Sequence, residues 1–210
     1  MDYFNTDERD KQRSFSKVRD TVFSPLVSLL IKVGATPNQV SLAGVLFLIL
    51  TSLLPASWPV AATVGMAFYV LCDGIDGPLA RRAGKVHAGG ALIDIVADQA
   101  GVVFLSAAAI YHFGAWGPAM VLFASSYMIF IGLALYANGL GVKLRRFLRC
   151  KYVFFLLYLG SLYLALDLVT WFCGAFAAYY VAETIEALRR IHRFHTREHR
   201  ERTTGGTPAP

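Results

Sequence analysis

Long apolar stretches alternate with short polar ones along the chain. Lysine and arginine are absent from residues 33–80, 86–142 and 152–188, and each tract is broken near its middle by prolines or polar residues, at 55–59, 112–118 and 167–170. A membrane-spanning helix takes about 20 apolar residues, so each tract has room for two spans and a tight reversal. The pattern therefore predicts three helical hairpins, with spans over 40–54, 60–72, 91–111, 118–140, 152–166 and 169–188. The second and fifth are short and must extend into flanking polar sequence or thin the membrane locally. For the second, extension carries the helix into Asp73 and Asp76.

The apolar segment at 21–34 is too short to span and is bounded by Arg19 and Lys32. An N-terminal interfacial amphipathic helix fits it, with Ser24 as cap and Pro25 at the first helical position. Thr36, Pro37 and Gln39 then supply a capping hydroxyl, a first-turn proline and a Gln three residues after the cap, a capping-box start for the first span. The expected fold class is all-α, a polytopic membrane protein of six transmembrane helices preceded by that interfacial helix. Residues 1–20 form a polar cytoplasmic arm, 21–34 the interfacial helix, 36–190 the six-helix transmembrane domain and 191–210 a basic cytoplasmic tail. Neither an internal repeat nor a second domain is visible.

Composition sharpens the picture. Apolar residues make up 56% and charged residues 16%, mean hydropathy is +0.50 and the net charge is +6. Soluble domains are less apolar and more charged. The basic residues lie in the N-terminal region, in the loops at 81–85 and 143–151, and in the tail, never in the three reversals. That distribution places the basic face and both termini in the cytoplasm and does not resemble a nucleic-acid-binding patch. The charged start argues against a cleavable signal peptide. Cys72, Cys150 and Cys173 show no paired spacing, so no disulfide is expected. Trp58, Trp116 and Trp171 fall at the reversals, as an aromatic belt would, and the Tyr and Phe of the spans read as lipid-facing or packing residues.

Four acids lie where a membrane protein does not tolerate them cheaply. Asp73 and Asp76 end the second span three residues apart, and Asp94 and Asp98 begin the third four apart, so each pair shares a helical face. A carboxylate at membrane depth costs roughly 2.5 kcal/mol or more. The short loop between the two helices makes them antiparallel neighbours, so all four carboxylates can converge. Converging carboxylates repel unless a cation lies between them, and Mg²⁺ or Mn²⁺ suits such hard oxygen donors. Two such ions would clamp the attacking and leaving oxygens of a phosphoryl displacement, with Arg81 pairing to a phosphate. A solvated loop cluster pairing these acids with Arg81, Arg82 and Lys85 is the plainer alternative, and four acids at helical spacing across one loop count against it.

The run from Asp73 through Gly77, Ala80 and Arg81 to Gly90, Asp94 and Asp98 resembles the CDP-alcohol phosphatidyltransferase signature D-x2-D-G-x2-A-R-x8-G-x3-D-x3-D at every fixed position. Thr36-Pro37-Asn38 is also similar to that family. The resemblance implies that 36–190 is a catalytic domain in which Asp73, Asp76, Asp94 and Asp98 bind two divalent cations, Mg²⁺ or Mn²⁺. It implies CDP contacts at Asn38, Asp73, Gly77, Ala80, Arg81 and Gly90, with Asp98 also the general base. The acceptor hydroxyl attacks the phosphorus bearing the lipid and CMP leaves. The donor expected for a chain of this length is CDP-diacylglycerol, and the acceptor is a small polar alcohol. Membrane lipids are implied surroundings and a homodimer the implied assembly.

The loop at 143–151 and the end of the sixth span offer Arg145, Arg146, Arg149, Lys151 and Arg189 as acceptor contacts, or as topological anchors attracted to anionic lipid. Gln99 stands where many relatives with phosphorylated acceptors resemble one another in a basic residue, which leaves an uncharged or zwitterionic acceptor open. His192, His195 and His199 share a face in the tail and read as part of a solvated basic helix. From a different class, a small ion or proton transporter using the aspartates as its path is the rival reading, although the DGIDG segment has no counterpart elsewhere in the chain.

Overall fold

The computed structural model describes residues 18–86, 88–145 and 147–204, and all regular structure among them is helical. A helical turn at 18–22 leads into α1 (Ser24–Lys32), followed by α2 (Pro37–Ser52), α3 (Pro59–Arg82), α4 (Ala88–Phe113), α5 (Gly117–Gly139), α6 (Lys151–Leu164) and α7 (Val169–Thr204). The capping box forms as expected. Gln39 N–H donates to the Thr36 hydroxyl at 3.3 Å, and Thr36 N–H donates to the Gln39 side-chain oxygen at 2.9 Å.

Ser24 does not cap α1. Phe23 precedes the helix with no side-chain cap, because the backbone is already helical there: Phe23 N–H donates to the Arg19 carbonyl and Val27 N–H to the Phe23 carbonyl. The preceding turn thus supplies the acceptors that a capping side chain would otherwise provide. Ser24 accepts Arg82 Nη1 instead, at 2.9 Å through its hydroxyl and 3.1 Å through its carbonyl.

Extension of the second span is borne out. α3 runs for 24 residues through Asp73, Asp76 and Arg81, about 36 Å of helix at 1.5 Å per residue. α3, α4 and α5 are each long and apolar enough to cross a membrane, and α1 with α2 makes a fourth crossing if that pair, bent by 107°, is one broken span. α6 has only 14 residues, and α7 carries Glu183 and Glu186 before continuing into the basic tail as one 36-residue helix.

Successive helices run up and down, as contacts at the far end show. Thr63 meets the Tyr163 hydroxyl at 3.1 Å, His112 meets the Ser52 carbonyl at 3.1 Å, and Trp116 N–H donates to Thr170 at 2.8 Å. Trp58, Trp116 and Trp171 stand exposed at this end. α2 packs on α3 and α4, α5 pairs closely with α7, and α6 touches α3, α4 and α7. The α2–α3 approach is tight enough to require glycine, since a Cβ at Gly44 would lie 2.8 Å from the Cys72 Cβ. The core is aromatic where α5, α6 and α7 meet, with Phe123, Phe154, Tyr158 and Tyr180 buried. Val27, Cys72, Ile75 and Leu79 form a smaller cluster that pins α1 to α3. Leu42, Val64 and Leu156 lie on the outside, 64% to 70% exposed, the apolar exterior that a bilayer covers.

Candidate active site

At the end opposite the tryptophans, α3 and α4 bring their aspartates together. Asp73, Asp94 and Asp98 each offer an oxygen, all within 4.8 Å of one another. Neighbouring oxygens on Mg²⁺ lie about 3 Å apart and opposite ones about 4.2 Å at its usual bond length, so the three are grouped closely enough for side-chain rotation to bring them onto one ion. The donor set is all carboxylate, as a hard dication requires. Asp76 is buried beside Asp94, and its carboxylate accepts the Ser41 hydroxyl and the Gly77 N–H, both at 2.6 Å. Ser41 is on α2, so three helices contribute here.

A cation already lies among the carboxylates. Lys151, the first residue of α6, places Nζ 2.7 Å from Asp98 Oδ2, 3.3 Å from Asp73 Oδ1 and 3.0 Å from the Tyr69 hydroxyl. Tyr69 in turn donates to Asp98 Oδ1 at 2.5 Å, and the Tyr152 hydroxyl donates to Asp73 Oδ2. Both oxygens of Asp98 and both of Asp73 are therefore engaged. The Lys151 side chain is only 8% exposed, so its charge depends on these partners.

Beside the cluster, Arg81 lies over Gly77. A Cβ there would be 3.3 Å from Arg81 Nη1. Asp20 holds the guanidinium in a two-point ion pair, Nη2 to Oδ1 at 2.5 Å and Nε to Oδ2 at 3.1 Å. Asp20, Val27, Pro78, Arg81 and Arg82 line an adjoining cavity of about 310 Å³. Ala80 is half-buried on α3, Asn38 is in the first turn of α2, and Gly90 is in the first turn of α4.

The basic loop divides. Lys151 is in the cluster, whereas exposed Arg145 pairs with buried Glu183 of α7, Nη2 at 2.5 Å and Nε at 3.0 Å from one carboxylate oxygen. Glu183's hydrogen bond and charge hold the Arg145 guanidinium above its ordinary pKa. Arg149 stacks on Phe147 with 5.5 Å to the ring centroid, Arg189 is exposed on α7, and Arg146 lies outside the described residues. Arg82 binds Ser24, so the solvated-loop pairing of the four aspartates with Arg81 and Arg82 is not what forms. In the tail, His195 meets the Tyr136 hydroxyl at 3.0 Å. The three cysteines are buried and free.

Sequence reasoning missed Ser41, Tyr69, Tyr152 and Asp20. Tyr69 had a usable signal, since it precedes Asp73 by four residues and so shares its helical face. By sequence Tyr69 and Tyr152 read as packing or lipid-facing residues; in the structure their hydroxyls donate hydrogen bonds to carboxylates, the polar tip of an otherwise apolar ring finding an acceptor.

No curated protein matches the chain. Among solved structures, the phosphatidylinositol phosphate synthase of Mycobacterium tuberculosis, crystallised with manganese and citrate, is similar in fold: TM-score 0.65, 17% identity, with 80% of this chain and 87% of that one covered. The model of the CDP-alcohol phosphatidyltransferase family matches residues 35–184, a stretch that includes all four aspartates and Lys151. With its apolar crossing helices, the chain is a multi-pass integral membrane protein and belongs to the CDP-alcohol phosphatidyltransferase family.

Proposed function

We propose that the chain transfers a phosphatidyl group from CDP-diacylglycerol to the hydroxyl of a small polar acceptor, releasing CMP. The observation that carries this reading is the convergence of Asp73, Asp94 and Asp98 at one end of the bundle, on the helices that hold the family motif. Two divalent ions, Mg²⁺ or Mn²⁺, would be held by Asp73, Asp76, Asp94 and Asp98, and when bound they would neutralise the donor's diphosphate and leaving group. Asp76 would join the ions while Ser41 and Gly77 each hold one of its two oxygens, leaving a second lone pair on each.

Asp98 is the proposed general base. It accepts the acceptor's hydroxyl proton as oxygen attacks phosphorus, and the bond to the CMP oxygen breaks. Arg81 is proposed to hold the nucleotide beside Gly77 and Ala80, with Asn38, Asp73 and Gly90 completing the CDP contacts. The cavity that Arg81 borders with Asp20, Val27, Pro78 and Arg82 supports this reading. Arg145, Arg146, Arg149, Lys151 and Arg189 are the proposed acceptor-side contacts.

The proposed setting has six spans, α2 to α7, with α1 lying along the interface, as the 107° bend between α1 and α2 supports. The active site and both termini face the cytoplasm, and the protein works as a homodimer among membrane lipids. Domain limits are proposed at 20, 34 and 190. Family membership makes the chain an enzyme, and the transporter alternative gains no observation of its own.

CMP release by purified protein in detergent tests the reading, with CDP-diacylglycerol, Mg²⁺ or Mn²⁺, and separate acceptors: glycerol phosphate, inositol phosphate, inositol, serine and choline. One acceptor is expected to drive release that EDTA abolishes. No release with any of them, from folded protein that binds Mn²⁺, overturns the proposed donor.

A further inference from the structure

Lys151 lies outside the motif, yet its side chain sits among the motif's carboxylates. Its ammonium has three protons and three acceptors around it: Asp98 Oδ2, Asp73 Oδ1 and the Tyr69 hydroxyl, at 2.7, 3.3 and 3.0 Å. The rings of Tyr152 and Tyr69 flank it, their centroids 4.8 and 5.3 Å from Nζ. The ammonium is thus saturated and largely screened from water. Two of the three residues whose oxygens converge as a cation site, Asp73 and Asp98, are the ones it touches.

We propose that Lys151 is the resident counter-cation of the aspartate cluster, and that a divalent ion binds by taking its place. A dication on Asp73 and Asp98 would draw on the same carboxylates that Nζ now engages. Like charges at that range also repel, and repulsion is strong where water is scarce. Lysine suits an exchangeable role: it is a compact charge on a flexible four-carbon stem, whereas an arginine fork would lock to a carboxylate. Lys151 begins α6, next to the loop, so its stem can withdraw toward the rim without breaking a helix interior. The ammonium offsets the mutual repulsion of the converging carboxylates, and it weakens metal binding by competing with it.

This inference rests on the metal-dependent reading above, and Mn²⁺ alone is the probe that separates the two. Mn²⁺ binding to the purified full chain in detergent is followed by the loss of free-ion EPR signal, and melting temperature is measured with and without Mn²⁺. Lys151→Gln is expected to bind Mn²⁺ at least about tenfold more tightly than wild type, to melt lower without metal, and to recover most of that loss in saturating Mn²⁺. Lys151→Arg keeps the charge and is expected to show no such tightening.

Unchanged or weaker Mn²⁺ binding by Lys151→Gln overturns the exchange, since Lys151 would then be holding the ligands rather than competing for them. Equal tightening by Lys151→Arg overturns it as well, because charge would not be the cause. So does a Lys151→Gln protein that stays unfolded in saturating Mn²⁺. Wild-type protein that binds no Mn²⁺ overturns the metal-dependent reading and the exchange with it.

Discussion

Two charged regions share one end of the bundle, and they are built differently. In the aspartate cluster, acids of α3 and α4 converge on a lysine from α6 whose side chain is 8% exposed, and hydroxyls from Ser41, Tyr69 and Tyr152 occupy further oxygens. In the basic loop, the arrangement is inverted: Arg145 is 65% exposed and its partner Glu183 is the buried member at 5%. Arg190 likewise pairs with Glu186 of its own helix at 2.7 Å and donates to the Lys143 carbonyl at 3.1 Å. In the first region the charge of the acids is met by one buried lysine and by hydroxyls. In the second, Arg145 fastens the loop to α7. In both regions sequence overstates the charge left free for a ligand, but the partner differs: Arg145 faces a buried glutamate, whereas Asp73 and Asp98 face a buried lysine on a flexible stem.

The strongest way to break this contrast is to remove a carboxylate. Asp98→Asn is expected to lower the rate of acceptor-dependent CMP release by on the order of 10³-fold, within the range for losing a general base. Asp73→Asn is expected to match that loss through impaired Mn²⁺ binding, measured by titration. Equal losses from Arg145→Ala would erase the distinction between the two regions.

A smaller effect is expected from the hydroxyls that hold the acids. Ser41→Ala removes the 2.6 Å hydrogen bond to Asp76, and Tyr152→Phe removes the donor to Asp73. Partners behind metal ligands typically change metal affinity or activity by about 10- to 100-fold when lost. Each variant is expected to fall in that range for Mn²⁺ affinity, with a folded melting profile. Unchanged affinity in both would mean that the aspartates are aimed by their helices alone.

How far these features were legible follows from how far apart their parts lie. The aspartate pairs sit three and four residues apart, and helix geometry converts that spacing directly into a shared face. The capping box at Thr36 and the extension of α3 were local in the same sense. Tyr69 and Asp98 are separated by 29 residues, Ser41 and Asp76 by 35, and Lys151 and Asp73 by 78. Such meetings depend on how helices pack, which periodicity does not encode. Lys151 was picked out for its charge but assigned to the loop, because nothing local distinguishes it from Arg149. Ser24 failed as a cap for the opposite reason: the local rule was sound, but the helical turn ahead of it had already supplied the acceptors.

The smallest effect sharpens the contrast most, because it separates fastening from recognition within one residue. Arg145→Ala leaves Glu183 buried without the guanidinium that both Nε and Nη2 direct at its Oε1. An unpaired buried carboxylate destabilises more than a neutral amide does. The single variant is therefore expected to melt lower than wild type, and adding Glu183→Gln is expected to restore part of that loss. If fastening is the whole of Arg145's role, the acceptor KM recovers in the double variant together with the melting temperature. If Arg145 also touches the acceptor, KM stays raised by up to about tenfold while stability recovers. Steady-state CMP release across acceptor concentrations, read beside the melting curves of the two variants, distinguishes these outcomes and tells how much of the loop's charge is left for an acceptor.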